Sequence, residues 1–126
     1  MSLFKKESFV SHSGIKLDWK IECDALFNTD YETLAYIIGT KIAFDQVYGI
    51  PTGGLRLAKH LKSYSLPQHP YNLLVDDVAT TGNSFEQWKQ EFSELAIRKP
   101  LIGVVLFDRT YSNLPNWVFP VFKLAI

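Results

Sequence analysis

The chain has 126 residues, enough for one hydrophobic core and hardly for two. A composition that is 47% hydrophobic, 14% aromatic and 21% charged is that of a folded globular protein and argues against disorder. Thirteen basic and thirteen acidic residues cancel, which speaks against a nucleic-acid or membrane surface, so a polyanionic small ligand would have to be held by local groups.

Cys23, the single cysteine, cannot form an internal disulfide and reads as a small buried residue rather than a nucleophile. No apolar run reaches membrane-spanning length, and the N-terminus lacks a signal peptide's apolar core, so a cytoplasmic location is expected.

Residues 4 to 24 read as irregular or β structure. From Ile15 to Ile21 the apolar residues Ile15, Leu17, Trp19 and Ile21 alternate with Lys16, Asp18 and Lys20, the period of an antiparallel strand with one covered face. Ser13-Gly14 reads as the turn before it. Asn28-Thr29-Asp30 then supplies N-cap chemistry, and Leu34, Ala35, Ile37, Ile38, Ile42 and Ala43 follow helical spacing. Gly39 inside that helix is a mild cost.

Phe44 to Ile50 leads from a short strand into the turn Gly49-Ile-Pro-Thr-Gly-Gly54, followed by a helix carrying Leu55, Leu57, Ala58 and Leu61. Paired glycines expose backbone N–H groups there. Lys62 to Asn72 is a short connection bracketed by Pro67 and Pro70; Lys62 and His69 are its candidates for a positive group or are solvated surface.

Tyr71 to Ser84 is the stretch on which the rest turns. Leu73-Leu-Val75 suits a strand buried on both faces of a parallel sheet. Asp76 and Asp77 stand where that strand ends. Ala79-Thr-Thr-Gly-Asn-Ser84 follows, and then an amphipathic helix with Trp88, Phe92 and Leu95 on one stripe. The first N–H groups of a helix lack internal partners and carry the positive end of its dipole. With hydroxyls and a glycine they make an anion cradle, and the acid pair forms its opposite rim. A ribose 5-phosphate fits such a place: phosphate in the cradle, ring hydroxyls on the acids, with Mg²⁺ held through its waters. The same residues also serve as a plain turn and N-cap in many α/β proteins. Two neighbouring acids at a strand end, however, serve no packing purpose.

Leu101 to Phe107 reads as a further buried strand ending in Asp108-Arg109, an acid and a base that either face the site or pair with each other. The tail from Leu114 to Phe122 is β-like and aromatic. No repeat or linker interrupts the chain. The whole predicts one α/β domain, residues 1 to 126, with a mainly parallel sheet flanked by helices and ligands outside the strand C-termini.

Val75-Asp-Asp-Val-Ala-Thr-Thr-Gly-Asn-Ser84 closely resembles the phosphoribosyl pyrophosphate loop of the type I phosphoribosyltransferases, nearest to the orotate branch. That signature is a hydrophobic strand, two acids, a hydrophobic residue and a small-Thr-Thr-Gly-x-Ser/Thr run. Ser13-Gly14 with Trp19 is similar to the family's N-terminal hood, although His12 stands where a basic residue often precedes Ser-Gly. Gly49 to Gly54 looks like its pyrophosphate loop.

The resemblance implies a β-rich hood from residues 4 to 24 and 108 to 126. It implies Asp76 and Asp77 as the catalytic acids, with Mg²⁺ held on them through water. It implies the 5-phosphate on Ala79, Thr80, Thr81, Gly82, Asn83 and Ser84, and pyrophosphate on Pro51, Thr52, Gly53 and Gly54. It offers Trp19, Arg109 and Trp117 for the base. The partners implied are phosphoribosyl pyrophosphate and a nucleobase-like acceptor, and a homodimer. The family's additional strand with a Lys or Arg, and its long flexible loop, have no counterpart in Lys62 to Asn72. That departure keeps a non-catalytic nucleotide-binding module open beside the enzyme. A phosphoacceptor receiver domain fits less well, since its acid pair follows the first strand.

Overall fold

The computed structural model describes residues 3–5, 9–10, 16–17, 20–94, 99–110 and 113–124, with side chains described for 3, 21–91, 99–110 and 113–124. Two short antiparallel ladders come first. β1 (Phe4–Lys5) pairs with β4 (Lys20–Ile21), and β2 (Phe9–Val10) pairs with β3 (Lys16–Leu17). The period-two pattern predicts one antiparallel strand from Ile15 to Ile21; the described residues pair antiparallel at Lys16–Leu17 and Lys20–Ile21, each with a different partner. His12, the Ser13-Gly14 step and Trp19 lie outside the described residues.

A single 3-10 turn, Cys23–Ala25, leads into α1 (Asn28–Lys41). The cap lies one residue earlier than expected: Phe27 is the N-cap, and the Asp30 carboxylate accepts its amide at 2.7 Å. An acid in the first turn also faces the positive end of the helix dipole. The helix buries Tyr31, Leu34, Ala35 and Ile38. Ile37 stays at the surface and Ile42 is already extended. A Cβ at Gly39 would run into the Tyr64 ring, so the glycine permits a close helix approach and is more than a propensity cost.

Four strands then build one all-parallel sheet in the order β5 (Val47–Gly49), β6 (Asn72–Ala79), β7 (Leu101–Asp108), β8 (Val118–Lys123). α2 (Leu55–Leu61) follows β5, and α3 (Asn83–Glu94) follows β6. Alternation along the strands divides the core in two. Leu73, Val75, Val104 and Leu106 pack with Tyr31, Leu34, Ile38, Leu57 and Leu61 of α1 and α2. Leu74 and Val105 pack with Phe85 of α3 and with Val118.

The tail differs from expectation. Instead of joining a hood, residues 118–123 form the fourth strand, parallel to β7, with the Phe107 and Phe122 rings stacked at 5.4 Å. Pro120 is tolerated because β8 is an edge strand. Among the described residues no helix is long and apolar enough to cross a membrane.

Candidate active site

The C-terminal ends of β5, β6 and β7 converge, as the parallel register requires. Gly49 is level with Val75, and Ala79 with Asp108. Ligands of parallel sheets bind beyond these ends, and three turns meet there.

The first turn, residues 50 to 54, is set by backbone contacts. The Ile50 amide donates to Val75 O at 2.8 Å, and the Gly54 amide to Ile50 O at 2.8 Å. Gly54 lies so close to the Val75 carbonyl that a Cβ would overlap it. The Pro51–Thr52 peptide bond is cis. Pro51 and Thr52 are exposed and Gly53 is half-buried.

The acid pair comes next. Successive strand residues point to opposite faces, and the two acids have different surroundings. Asp76 is only 8% exposed, and its Oδ1 accepts the Asp77 amide at 2.8 Å. Asp77 is half-buried, and its Oδ1 accepts the Val78 amide at 2.7 Å. Its carboxylate packs against Gly53, where a Cβ would overlap it. Two expectations are corrected here. Asp76 lies inside the strand end rather than on an open rim. The acids also have a local role, each accepting the amide of the residue that follows it. Burial, and then the charge of Asp77, raise the Asp76 pKa far above the carboxylate range.

The third turn holds Thr80 to Ser84. Thr80, Thr81 and Ser84 are half-buried and Asn83 is exposed. The Asn83 amide, at the start of α3, donates to Thr81 Oγ1 at 3.2 Å. Gly82 adopts φ +82, a left-handed conformation that favours glycine. It is also packed beneath the tail: a Cβ there would stand 3.0 Å from Pro115 Cδ and 3.2 Å from Asn113 O. The tail segment is held in place by Thr110, whose amide and hydroxyl donate to Asp108 Oδ1 at 2.8 and 2.6 Å. Thr110 Oγ1 in turn accepts the Asn113 amide at 3.1 Å. Arg109 is buried at the same level, its amide donating to Ala79 O at 2.9 Å.

The sequence-predicted residues therefore separate. Pro51 to Gly54, Asp76, Asp77, Ala79 to Ser84 and Arg109 come together at the strand ends. Trp117 does not. Its ring lies edge-on to Phe85 at 5.9 Å, under Lys89, with Nε1 donating to Glu86 Oε1 at 3.1 Å, and its carbonyl accepts from Gly103 near the start of β7. It packs the tail onto α3, away from the site. Trp19 lies outside the described residues. Lys62 and His69 belong to the connection before β6, at the opposite end of an eight-residue strand that spans about 20 Å or more.

Sequence reading missed one contributor, Thr110, which was discoverable because an Asp two residues before a Thr is a turn signal.

Mg²⁺ prefers hard oxygen ligands and keeps several waters, binding through one or two carboxylates and substrate phosphates. Asp76 and Asp77 fit that demand, and among the described residues no group of three or more His, Cys, Asp or Glu forms a cage for a metal. Asp76, buried beside Asp77, would ionise more readily with a cation next to the pair.

No protein-family model matches the chain, and no curated protein matches it in sequence. Solved structures do match. Orotate phosphoribosyltransferase from Aeropyrum pernix superposes with a TM-score of 0.71 at 20% identity, over 96% of this chain and 88% of that one. The Mycobacterium tuberculosis orotate phosphoribosyltransferase, in complex with Fe(III) dicitrate, gives 0.61 at 14% identity over 96% and 89%. That of Francisella tularensis gives 0.58 at 17% identity over 96% and 80%. At such identities the likeness is one of fold: the chain shares the α/β fold of these orotate phosphoribosyltransferase structures.

Proposed function

We propose that this protein is a phosphoribosyltransferase that binds phosphoribosyl pyrophosphate with Mg²⁺ and transfers ribose 5-phosphate to a nitrogenous base, a pyrimidine such as orotate or a purine. One observation carries the reading. The acid pair, the hydroxyl-rich start of α3 and the glycine turn converge at adjacent parallel strand ends, on a fold shared with orotate phosphoribosyltransferases.

In this reading the 5-phosphate lies on Ala79 to Ser84, where Thr and Ser hydroxyls and the first amides of α3 supply donors. Asp76 and Asp77 hold the ribose hydroxyls. Pyrophosphate lies on Pro51 to Gly54. The bond between the anomeric carbon and the pyrophosphate oxygen breaks, its electron pair leaves with pyrophosphate, and a nitrogen of the base supplies the new pair. Positive charge gathers on the ring between these events, and the nearby Asp77 carboxylate favours it. Mg²⁺ on the two acids would supply charge to neutralise pyrophosphate. Arg109, buried at the third strand end, is the base-side candidate. Residues 62 to 71 lie at the far end of the sheet. A positive group over the reacting centre would therefore come from a second copy in a homodimer or from the N-terminal hairpin.

The placement of that connection also favours a second reading, a module of the same fold that binds the phosphoribosyl donor without turnover. Mixing excess protein with the donor, Mg²⁺ and a panel of pyrimidines and purines separates the two. Pyrophosphate release with one of the bases supports transfer. Binding without release for every base supports the module, and absence of binding refutes both.

A further inference from the structure

We propose that the solvent face of α1 pairs with α1 of a second copy of this chain, the two helices antiparallel about a two-fold axis. The pairing follows from the surface of α1 and is independent of what the strand ends bind.

α1 carries apolar residues on both sides. Tyr31, Leu34, Ala35 and Ile38 enter the core, while Tyr36 and Ile37 on the other side are 60% and 36% exposed. Thr29, Glu32, Thr33, Thr40 and Lys41 share that outer side and are exposed. They fall in two rows of i, i+4 spacing, Thr29-Thr33-Ile37-Lys41 and Glu32-Tyr36-Thr40. Such rows are the ridges that interlock when two helices cross at about −50°.

This face is complementary to itself. From a centre between Tyr36 and Ile37, one direction reads aromatic, threonine, acid, and the other reads aliphatic, threonine, base. An antiparallel two-fold pair therefore sets Tyr36 against Ile37 of the second copy and Thr33 against Thr40. At that crossing angle it brings Glu32 toward Lys41, and every contact is made twice. Neither threonine carries an unmet hydroxyl into the contact: Thr33 Oγ1 donates to Thr29 O at 3.1 Å, and Thr40 Oγ1 to Tyr36 O at 2.7 Å. The charges stand at the edges, where they set orientation more than affinity. A cleft of about 340 Å³ borders the face, its lining including Ile37, Lys41, Ile42, Phe119, Pro120 and Val121. Phe119 is 52% exposed there, and the crossing helix would cover it.

Arg56, just past the glycine turn, donates to Leu26 O at 3.1 Å and Asn28 Oδ1 at 2.8 Å, so α1 begins at the level of the candidate site. Antiparallel pairing sends the two sites of the dimer to opposite ends.

Sedimentation velocity over a range of concentrations tests the pairing. The wild type is expected in a monomer–dimer equilibrium. Ile37→Arg places charge at the centre of the contact and should abolish the dimer. Glu32→Lys and Lys41→Glu each set like charges together twice, and each should raise the dimer dissociation constant about tenfold. A mixture of these two variants faces every lysine with a glutamate and should restore a dimer of near wild-type strength, as should the double exchange Glu32→Lys/Lys41→Glu. Circular dichroism of each variant as a dilute monomer reads whether it is folded. A wild type that stays monomeric at every concentration overturns the proposal, and uptake of an apolar dye by the cleft of that monomer would assign the face to another occupant. A dimer that survives Ile37→Arg, or one that neither the mixture nor the double exchange restores, overturns it as well.

Discussion

At the N-terminal edge of the sheet, Asp45 receives the ammonium of Lys99, the Gln68 amide at 3.3 Å and the Gln46 side chain at 3.4 Å, while Ser65 Oγ donates to its carbonyl. Lys99 also reaches His69 O at 2.9 Å. At the C-terminal edge Asp76 is buried beside a second acid, and its burial and the charge of Asp77 both disfavour its ionised form. One carboxylate is matched by an opposite charge; the other is enclosed beside a like one. Matched charges at a chain crossing fasten a fold. An unmatched buried acid costs stability and persists where a ligand or ion makes use of it.

The two acids should titrate in opposite senses. Lys99 holds Asp45 below the ordinary aspartate value, so its contribution is present above about pH 4 and is lost as pH falls through the folded pKa. Burial and Asp77 raise Asp76, so folding favours its protonated form. That contribution is full below about pH 4 and is lost as pH rises through the raised pKa.

Four substitutions can break or sharpen this contrast. Gly54→Ala would press a methyl group into the Val75 carbonyl and the Ile50 backbone, and is expected to cost about 3 kcal/mol in urea denaturation and to abolish binding of the phosphoribosyl donor. Asp76→Asn keeps the side chain's shape and removes its charge. It should stabilise the protein by about 1–3 kcal/mol at pH 8 and by nearly nothing at pH 3, while weakening donor binding. Lys99→Ala should do the reverse: a lower melting temperature at pH 7, a deficit that closes toward pH 3, and unchanged donor affinity. Trp117→Phe removes the Nε1 bond to Glu86 and should cost about 1 kcal/mol with donor affinity intact. Weakened donor binding in either of the last two variants would mean that the functional end of the sheet is wrongly drawn.

Local patterns made much of this legible. The run Leu73–Val75, the two acids and the turn into α3 were readable because strand, turn and helix start are each written in neighbouring residues. The glycine turn before α2 was readable for the same reason. Contacts between distant segments were not. Period two alone places neighbouring acids on opposite faces, but the depth at which Asp76 lies depends on what covers the strand end. Val118 to Lys123 read as β-like, and the resemblance assigned them to a hood; their pairing with β7, with Pro120 on the edge strand, comes from the packed sheet. Trp117 looked equally suited to a base or to packing against the hood, and the α3 residues that claim it, Glu86 and Lys89, carry no sign of that in the sequence. The approach of Gly53 to Asp77 joins two separate segments and is a property of the packed fold.

The most direct measurement is calorimetric titration of phosphoribosyl pyrophosphate with Mg²⁺ into the wild type and into Asp76→Asn/Asp77→Asn. The wild type should bind only with the metal present. The double variant should stay folded and lose affinity by about a hundredfold, the size of one or two charge-assisted hydrogen bonds. Equal affinity in the two proteins would contradict the assignment of the strand end as the site.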